Sequence, residues 1–194
     1  MSGISVTRGF AEEERAVMAE LYLEAFGDKL GRLLGRGARA RRFLAASLDP
    51  DFALVARLDG TALGLAGFRC EGGGLTDGFA RELPRHYGPF GGWWRGSVLA
   101  ALESREPSDK LYVDGIAVAE AARGCGLGRR LLDALAQEAG KRGKRAVVLD
   151  VIDSNIRARA LYEREGYRVS GRHDLGPLRH VFGFRRAVQM RRDL

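Results

Sequence analysis

The sequence has few cysteines, few histidines and no long apolar segment, and each shortage excludes a class of protein. Cys70 and Cys125 are the only cysteines among 194 residues, too few for a disulfide framework or a multi-cysteine zinc site. No apolar run approaches the roughly 20 residues of a membrane-spanning helix. The first ten residues lack the basic-then-apolar pattern of a secretory signal. We therefore expect a cytoplasmic protein with reduced thiols, no bound metal and no membrane partner.

Lysine is also scarce, and the positive charge comes mainly from arginine. The 32 basic residues exceed the 25 acidic ones, which gives a net charge of +7. The excess concentrates in residues 123–145 and 172–194. Nucleic-acid binding requires an extended basic face with aromatic residues or a recognition helix. The charge in 123–145 instead surrounds one glycine-rich turn, so a compact phosphorylated ligand is favoured over nucleic acid.

Hydrophobic periodicity predicts a mixed α/β protein that forms one domain over residues 1–194. The predicted strands are 4–10, 52–57, 62–70, 111–118, 145–151, 167–171 and 183–190. The predicted helices are 11–30, 38–48, 96–105, 124–140 and 154–165. The residues Leu58-Asp59-Gly60 predict a hairpin turn. Residues 71–96, rich in glycine and proline, are predicted to be an irregular insert on the substrate side, with room for a short helix at 76–85.

The most informative segment is a strand, 111–118, followed by the glycine-rich turn Arg123-Gly-Cys-Gly-Leu-Gly-Arg-Arg130. Glycines at a helix start let backbone N–H groups approach an anion closely, and the helix dipole adds positive potential. The spacing matches neither the GxxxxGK[ST] phosphate loop nor the GxGxxG dinucleotide fingerprint. The same glycines also suit a tight strand-to-helix connection in a glycine-rich protein.

Two motifs in the right order give this segment a family resemblance. Arg123, Gly126 and Gly128 match the pattern R/Q-x-x-G-x-G/A. A second block, N-x-x-A-x-x-x-Y-E-x-x-G-[FY], is matched by Asn155, Ala158, Tyr162, Glu163, Gly166 and Tyr167. Over residues 110–170 the sequence resembles the GCN5-related N-acetyltransferase (GNAT) family. The resemblance implies a twisted, mostly antiparallel mixed sheet flanked by helices, with two splayed strands that form an acyl-CoA cleft.

The resemblance also implies where acetyl-CoA binds. The pyrophosphate is expected on the backbone of the turn, which comprises Arg123, Gly124, Cys125, Gly126, Leu127, Gly128 and Arg129. The pantetheine arm is expected to pair with Ile116, Ala117 and Val118, with Asn155, Ala158 and Tyr162 as further contacts. The Val118 N–H is expected to polarise the thioester carbonyl, as in an oxyanion hole.

Acyl transfer to an amine needs an acid for the leaving thiolate and a base for the attacking nitrogen. The resemblance implies Tyr162 as the acid. Asp114 lies on the strand leading to Val118, on the same face as Tyr112, and is the better candidate base. It could instead anchor the substrate ammonium without moving a proton. Glu103 is a weaker candidate base, and Cys125 is expected to be structural because it lies in the phosphate turn.

The predicted function is acetyl transfer from acetyl-CoA to a primary amine by direct attack in a ternary complex. The insert favours a small-molecule acceptor over a protein N-terminus, and His86, Trp93 and Trp94 are candidate substrate contacts. An alternative function is a catalytically inactive CoA-binding sensor or interaction module. The last strand, expected at an open edge of the sheet, is a candidate contact for a homodimer.

Overall fold

The computed structural model describes residues 3–100, 109–176 and 183–194. The strands are β1 Ile4–Arg8, β2 Ala53–Leu58, β3 Thr61–Cys70, β4 Gly73–Gly74, β5 Lys110–Val118, β6 Ala146–Ile152, β7 Arg168–Asp174 and β8 Arg186–Asp193. The helices are α1 Arg15–Leu34, α2 Ala38–Ser47, α3 Phe79–Tyr87, α4 Pro89–Ala100, α5 Leu127–Lys141 and α6 Ile156–Arg164. No helix in these residues is long and apolar enough to span a bilayer.

The strands of the described residues form one open sheet of eight strands. Its order is β1-β2-β3-β5-β6-β8-β7, with the two-residue β4 paired to β3. Strands β5 and β6 pair in parallel, and the other pairs are antiparallel. The predicted mixed, mostly antiparallel sheet is therefore confirmed. Strand β8 lies between β6 and β7, so the prediction that the last strand is an open edge is wrong, and the homodimer loses that argument.

Local sequence explains where several elements begin and end. The predicted hairpin between β2 and β3 turns at Asp59 and Gly60, whose φ angles of 50° and 82° suit a two-residue type I′ turn. Residues Glu12–Glu14 form a 3₁₀ turn ahead of α1 instead of its first turn. Helix α1 passes Gly31 and ends at Gly35, whose φ is 79° and whose N–H donates to the Gly31 carbonyl oxygen at 2.8 Å.

Residues 71–96 are more regular than predicted: α3 lies close to the short helix expected at 76–85, and most of α4 lies where an irregular chain was expected. Gly88, at a φ of 75°, ends α3, and Pro89 begins α4 at a position where proline suits the first helical turn. A Cβ on Gly92 would lie 2.6 Å from the backbone nitrogen of Pro84. These glycines and prolines therefore serve the boundaries and close packing of two helices.

Two cores pack on opposite faces of the sheet. The first core joins α1, α2 and α3 to one face, with Met18, Phe43 and Leu65 among its buried residues. The second joins α5 to the other face, with Phe68 and Leu131 among its buried residues. Alternate strand residues face opposite sides of a sheet, so β5 presents side chains to both cores. Its C-terminal half is therefore positioned by α1 on one side and α5 on the other.

Candidate active site

A β-bulge in β5 sets the direction of Asp114. Val113 pairs with Phe68 and Gly115 pairs with Gly67, so Asp114 is an extra residue in its strand. A Cβ on Gly115 would lie 2.2 Å from the Phe26 ring of α1. The Asp114 charge also contributes, after burial, to the raised pKa of Tyr22 in α1. Asp114 and Gly115 therefore both face α1.

The C-terminal half of β5 separates from β6, as the predicted splay requires. Their pairing ends at Val113 and Leu149, although β5 continues to Val118 and β6 to Ile152. The Ala119 N–H donates to the Leu63 carbonyl oxygen of β3 at 2.9 Å. Because successive N–H groups alternate in direction, those of Ile116 and Val118 point into the gap on the β6 side.

Ala117 differs from its two neighbours in β5. It is buried in the first core, and it lies opposite Leu65 of β3 in the sheet register. The same alternation directs its peptide N–H toward β3 instead of the gap. Of the three residues predicted to pair with the pantetheine arm, only the flanking Ile116 and Val118 direct their N–H groups into the gap.

The glycine-rich turn forms an open cradle of N–H donors at the start of α5. Gly124 and Gly126 have φ angles of 94° and 86°, which favour glycine. The Arg130 N–H makes the first bond of the helix, to the Gly126 carbonyl oxygen at 3.1 Å, so the amides of Leu127, Gly128 and Arg129 precede it as unpaired helix-start donors. No atom lies within 4 Å of a Cβ built on Gly124. This geometry fits a pyrophosphate.

The arginines beside the turn already have acidic partners. Arg123 donates to Glu24 Oε1 at 3.1 Å and to the Val118 carbonyl oxygen at 3.3 Å. Glu24 Oε1 also accepts from the Glu120 N–H at 2.9 Å, so it ties α1 to the turn. Arg129 Nε lies 3.6 Å from a Glu165 carboxylate oxygen. Sequence reasoning missed Glu24, which carries no motif and comes near Arg123 only through folding.

The second motif builds the start of α6. The Asn155 side chain caps this helix, because its Oδ1 accepts from the Ala158 N–H at 3.1 Å. Asn155 is exposed, and because the cap uses its Oδ1, its amide NH₂ group remains as a donor. Leu161 packs close to the start of α5, where its Cδ2 lies 3.2 Å from a Cβ built on Gly128. The motif thus sets α6 against the glycine-rich turn.

Tyr162 lies half-buried on α6, within the second core. Its ring centroid is 6.0 Å from that of the buried Tyr167. Burial raises the pKa of the Tyr162 phenol to about 12. The phenol therefore keeps its proton throughout the physiological pH range and can act as a hydrogen-bond donor.

Asp114 has a largely buried carboxylate whose two oxygens differ in their hydrogen bonding. Its Oδ1 accepts from Arg69 Nε at 3.3 Å, and its Oδ2 is buried with no hydrogen-bond partner. Burial raises the pKa of Asp114, and so, to a smaller extent, does the Asp77 charge. The charge and hydrogen bond of Arg69 and a backbone hydrogen bond from Leu75 oppose that shift. Arg69 is itself held by Asp77, with an Nη1–Oδ1 distance of 3.0 Å, and by Thr76 Oγ1 at 2.9 Å. Sequence reasoning missed Arg69, which lies 45 residues before its partner.

Two of the remaining predicted substrate contacts, Tyr112 and His86, are partly buried and pack against other residues. Tyr112 is half-buried and pairs with Arg69 across β5 and β3. His86 packs edge-to-face on Phe43, with ring centroids 5.8 Å apart.

The two tryptophans lie on α4. Trp93 is 70% exposed and Trp94 is 39% exposed. The Arg95 guanidinium carbon lies 4.7 Å from the centre of the Trp94 ring. Cys125 is exposed in the turn. Glu103 lies outside the described residues.

Comparisons with known proteins agree with this geometry. Residues 16–167 match the family model described as "Acetyltransferase (GNAT) family". No curated protein matches the chain. A GCN5-related N-acetyltransferase from Kribbella flavida is 19% identical, with 98% of each chain covered and a TM-score of 0.63.

Two further solved structures are similar in fold. An agmatine N-acetyltransferase mutant in its apo form is 18% identical, with 98% of this chain and 99% of that chain covered and a TM-score of 0.61. The yncA protein from Salmonella typhimurium, solved with its cofactor acetyl-CoA, is 17% identical, with 98% and 94% covered and a TM-score of 0.57. With the family match spanning most of its length, the chain belongs to the GNAT acetyltransferase family and is an N-acetyltransferase.

Proposed function

We propose that this enzyme transfers the acetyl group of acetyl-CoA to a small-molecule primary amine, by direct attack in a ternary complex. The observation that carries the proposal is the gap between β5 and β6. The glycine-rich turn follows its β5 side, and the bulged Asp114 lies where β5 leaves β6. One end therefore suits a phosphorylated donor, and the other suits an amine.

The donor side of the gap is formed mainly by backbone groups. The helix-start amides of Leu127, Gly128 and Arg129 would bind the pyrophosphate, and Gly124 and Gly126 leave space for it. The Ile116 and Val118 N–H groups would bond carbonyl oxygens along the donor, Ile116 on the pantetheine arm and Val118 at the thioester. The Asn155 NH₂ group is a further donor from α6. The acetyl-CoA found with the Salmonella protein supports this choice of donor.

The chemistry requires three groups of this chain. The Asp114 carboxylate would take a proton from the attacking ammonium, directly or through water, which frees the nitrogen lone pair. As the C–N bond forms, the Val118 N–H would stabilise the negative charge on the carbonyl oxygen. As the C–S bond breaks, the Tyr162 phenol would donate its hydrogen bond, and then its proton, to the leaving thiolate.

The two pKa shifts suit these roles to different degrees. A raised pKa makes Asp114 a stronger base than an ordinary aspartate, which is what an amine proton requires. A phenol with a pKa of about 12 is a weaker acid than a thiol, whose pKa is about 8.5. Tyr162 would therefore act first as a hydrogen-bond donor to the developing thiolate, with proton transfer completed as product leaves.

The buried Asp114 favours an enzyme over an inactive CoA sensor. Burying a carboxylate destabilises the fold, and the raised pKa of Asp114 reflects that cost. A module that only binds CoA has no need of such a group beside the gap. The agmatine N-acetyltransferase among the similar structures supports a small amine as the acceptor.

The first experiment is titration calorimetry with acetyl-CoA, with CoA, ATP and NAD as controls. We expect micromolar binding of acetyl-CoA and CoA and none of ATP or NAD. A panel of primary amines then follows, with thiol release as the readout and Asp114→Asn as the matched inactive variant. Acetyl-CoA binding without thiol release for any amine would favour the sensor, and no binding by a folded protein would exclude both functions.

A further inference from the structure

Helix α4 exposes three aromatic rings where a surface helix normally carries polar side chains. Phe90, Trp93 and Trp94 are 84%, 70% and 39% exposed. Their spacing of three and four residues places them on one face of the helix, and the ring centroids of Phe90 and Trp93 are 6.4 Å apart. We call these three residues the aromatic stripe. It lies in the first half of α4, and none of the groups assigned to acyl transfer belongs to it.

The other faces of α4 are used for packing. A Cβ on Gly92 would lie 2.6 Å from the Pro84 nitrogen of α3. A Cβ on Gly96 would lie 3.7 Å from Leu83 Cδ1 of the same helix, and Leu99 packs against the first core. Because a helix turns by about 100° per residue, the aromatic stripe lies on the side away from α3. The core therefore holds α4 through its other faces.

Positive charge without an acidic partner lies beside the aromatic stripe. The Arg95 guanidinium carbon lies 4.7 Å from the centre of the Trp94 ring and 4.6 Å from that of Tyr87. Arg95 donates its hydrogen bonds to main-chain carbonyl oxygens, one of them that of Leu33 at 2.6 Å. The exposed Arg39 of α2 lies 5.9 Å from the centre of the Tyr87 ring. Within the described ranges, neither arginine forms an ion pair with a carboxylate.

These two charges can act on a charged surface without direct contact. Electrostatic attraction extends over a Debye length of about 8–10 Å at moderate salt. The bonds of Arg95 to carbonyl oxygens fix its position and do not neutralise its charge. The surface around the stripe is therefore both aromatic and positive, which complements a partner that is apolar below an anionic layer.

The size and shape of the aromatic stripe restrict what can cover it. Its exposed area is on the order of 400 Å², within the roughly 300–600 Å² of the largest apolar patch on a typical monomer. A stable protein–protein interface buries about 800 Å² on each partner, so the stripe alone is too small for one. A nucleic-acid strand is bound along a charged groove, whereas these rings project from a single helix. Insertion into a lipid surface requires only a few projecting rings beside basic residues.

We propose that the aromatic stripe binds the surface of an anionic lipid bilayer. Phe90 and Trp93 would lie among the headgroups, where aromatic rings are favoured. Arg39 and Arg95 would lie beside them, close to the lipid phosphates. The expectation of no membrane partner rested on the lack of a spanning segment, which an interfacial helix does not need. Such binding is separate from acyl transfer and from its donor and acceptor.

The test is co-sedimentation of the full chain with two kinds of vesicle. One contains equimolar phosphatidylcholine and phosphatidylglycerol, and the other contains phosphatidylcholine alone. We expect binding to the anionic vesicles to be at least tenfold stronger, and to weaken as salt is added. Because the net charge of +7 by itself attracts an anionic surface, variants of the stripe decide the result.

Matched variants separate the aromatic stripe from the overall charge. The double variant Phe90→Ser with Trp93→Ser should weaken binding to anionic vesicles at least tenfold. Ile156→Ser removes a side chain that is 76% exposed on α6, on the opposite face of the sheet, and should leave binding unchanged. Arg39→Gln should weaken binding about fivefold. Lys141→Gln removes one exposed charge from the end of α5 and should have a smaller effect.

Intrinsic fluorescence reports on the aromatic stripe directly, because Trp93 and Trp94 are the only tryptophans of the chain. Trp94→Phe leaves Trp93 as the reporter, and Trp93→Phe leaves Trp94. With anionic vesicles we expect the emission to shift to shorter wavelength, and more for Trp93, which is the more exposed of the two. Attraction by net charge alone would bring the protein to the vesicle without such a shift.

Three outcomes would overturn this inference. The first is binding that the double variant does not weaken, or that leaves the emission unchanged, since net charge then accounts for it. The second is absence of vesicle binding together with self-association, measured by sedimentation, that the double variant abolishes. The third is absence of vesicle binding together with fluorescence quenching by oligouridylate that the double variant abolishes. None of these measurements involves acetyl-CoA or an amine, so the acetyltransferase proposal is tested separately.

Discussion

The proposed donor and acceptor sides of this site are built in different ways. The donor side, the open edge of β5 with the turn before α5, consists of backbone N–H groups within residues 116–129. The proposed acceptor side consists of side chains from distant positions, Asp114 on β5 and Arg69 on β3. A backbone site leaves a local glycine pattern in the sequence, whereas a side-chain site of this kind leaves none.

The largest effect should come from a substitution that destroys the donor side alone. Gly126→Val places a branched side chain at a φ of 86°, with strain of order 1–3 kcal/mol, and fills space at the turn. We expect acetyl-CoA affinity to fall at least a hundredfold by calorimetry. Gly140→Ala, in the same helix with no atom near its Cβ, is the matched control. Full affinity in folded Gly126→Val would remove the turn from the donor site.

The next largest effect should fall on the acceptor side. Asp114→Asn removes the base, so kcat should fall about a hundredfold, within the 10²–10⁴ range of general-base catalysis, with acetyl-CoA affinity unchanged. The wild-type rate should rise with pH as Asp114 deprotonates, at a pH above that of an ordinary aspartate because burial raises its pKa. In Asp114→Asn this low-pH limb should be flat. A retained limb would leave Asp114 as an anchor only.

Substitution of Arg69 should shift the low-pH limb of the rate profile along the pH axis without abolishing it. Its charge stabilises the Asp114 carboxylate, so Arg69→Gln should raise the pKa of Asp114 further. The rate limb should then shift to higher pH, with a smaller loss of kcat at high pH than Asp114→Asn shows. A shift to lower pH, or a uniform loss at every pH, would contradict the role assigned to Arg69.

Tyr162→Phe tests the group that lies between the two sides. Removing the hydroxyl deletes the hydrogen bond to the leaving thiolate but keeps the ring against Tyr167. We expect kcat to fall about tenfold or more, with little change in acetyl-CoA affinity. Equal turnover by both proteins would exclude Tyr162 as the acid.

The smallest effect should come from Arg123, although it is the arginine of the motif. Its charge is shared with Glu24 in an ion pair whose side chains are 39% and 36% exposed, and such pairs contribute about 1 kcal/mol or less. We expect Arg123→Gln to weaken acetyl-CoA binding only a few-fold. A loss as large as that of Gly126→Val would mean that side-chain charge, and not backbone, dominates the donor side.

Most of the element order was predictable, because hydrophobic period and turn residues are local. The hairpin at Asp59 and Gly60 is an example, since its φ angles depend on two adjacent residues. The prediction was wrong for residues 71–96, where glycine and proline were interpreted as signs of an irregular chain. Gly92 is instead required because the backbone at Pro84 lies against it, a contact between helices that no local pattern encodes.

The position of the last strand in the sheet was likewise not predictable from local sequence. The strand predicted at 183–190 is present at residues 186–193, but its place between β6 and β7 was not predicted. Strand order depends on which apolar faces can be buried together, and Val188 and Met190 are buried with Tyr167 in the second core. That choice is made by packing across the whole sheet.

The sequence by itself determined the family, the donor class and the backbone cradle, because Gly124, Gly126 and the residues of the second motif act through conformation and spacing along the chain. Only the tertiary structure decided the partners of Asp114 and the role of Glu24. Charges and cavities depend on distances between residues that are far apart in sequence. Those distances exist only once the sheet has brought α1, β3 and β5 together.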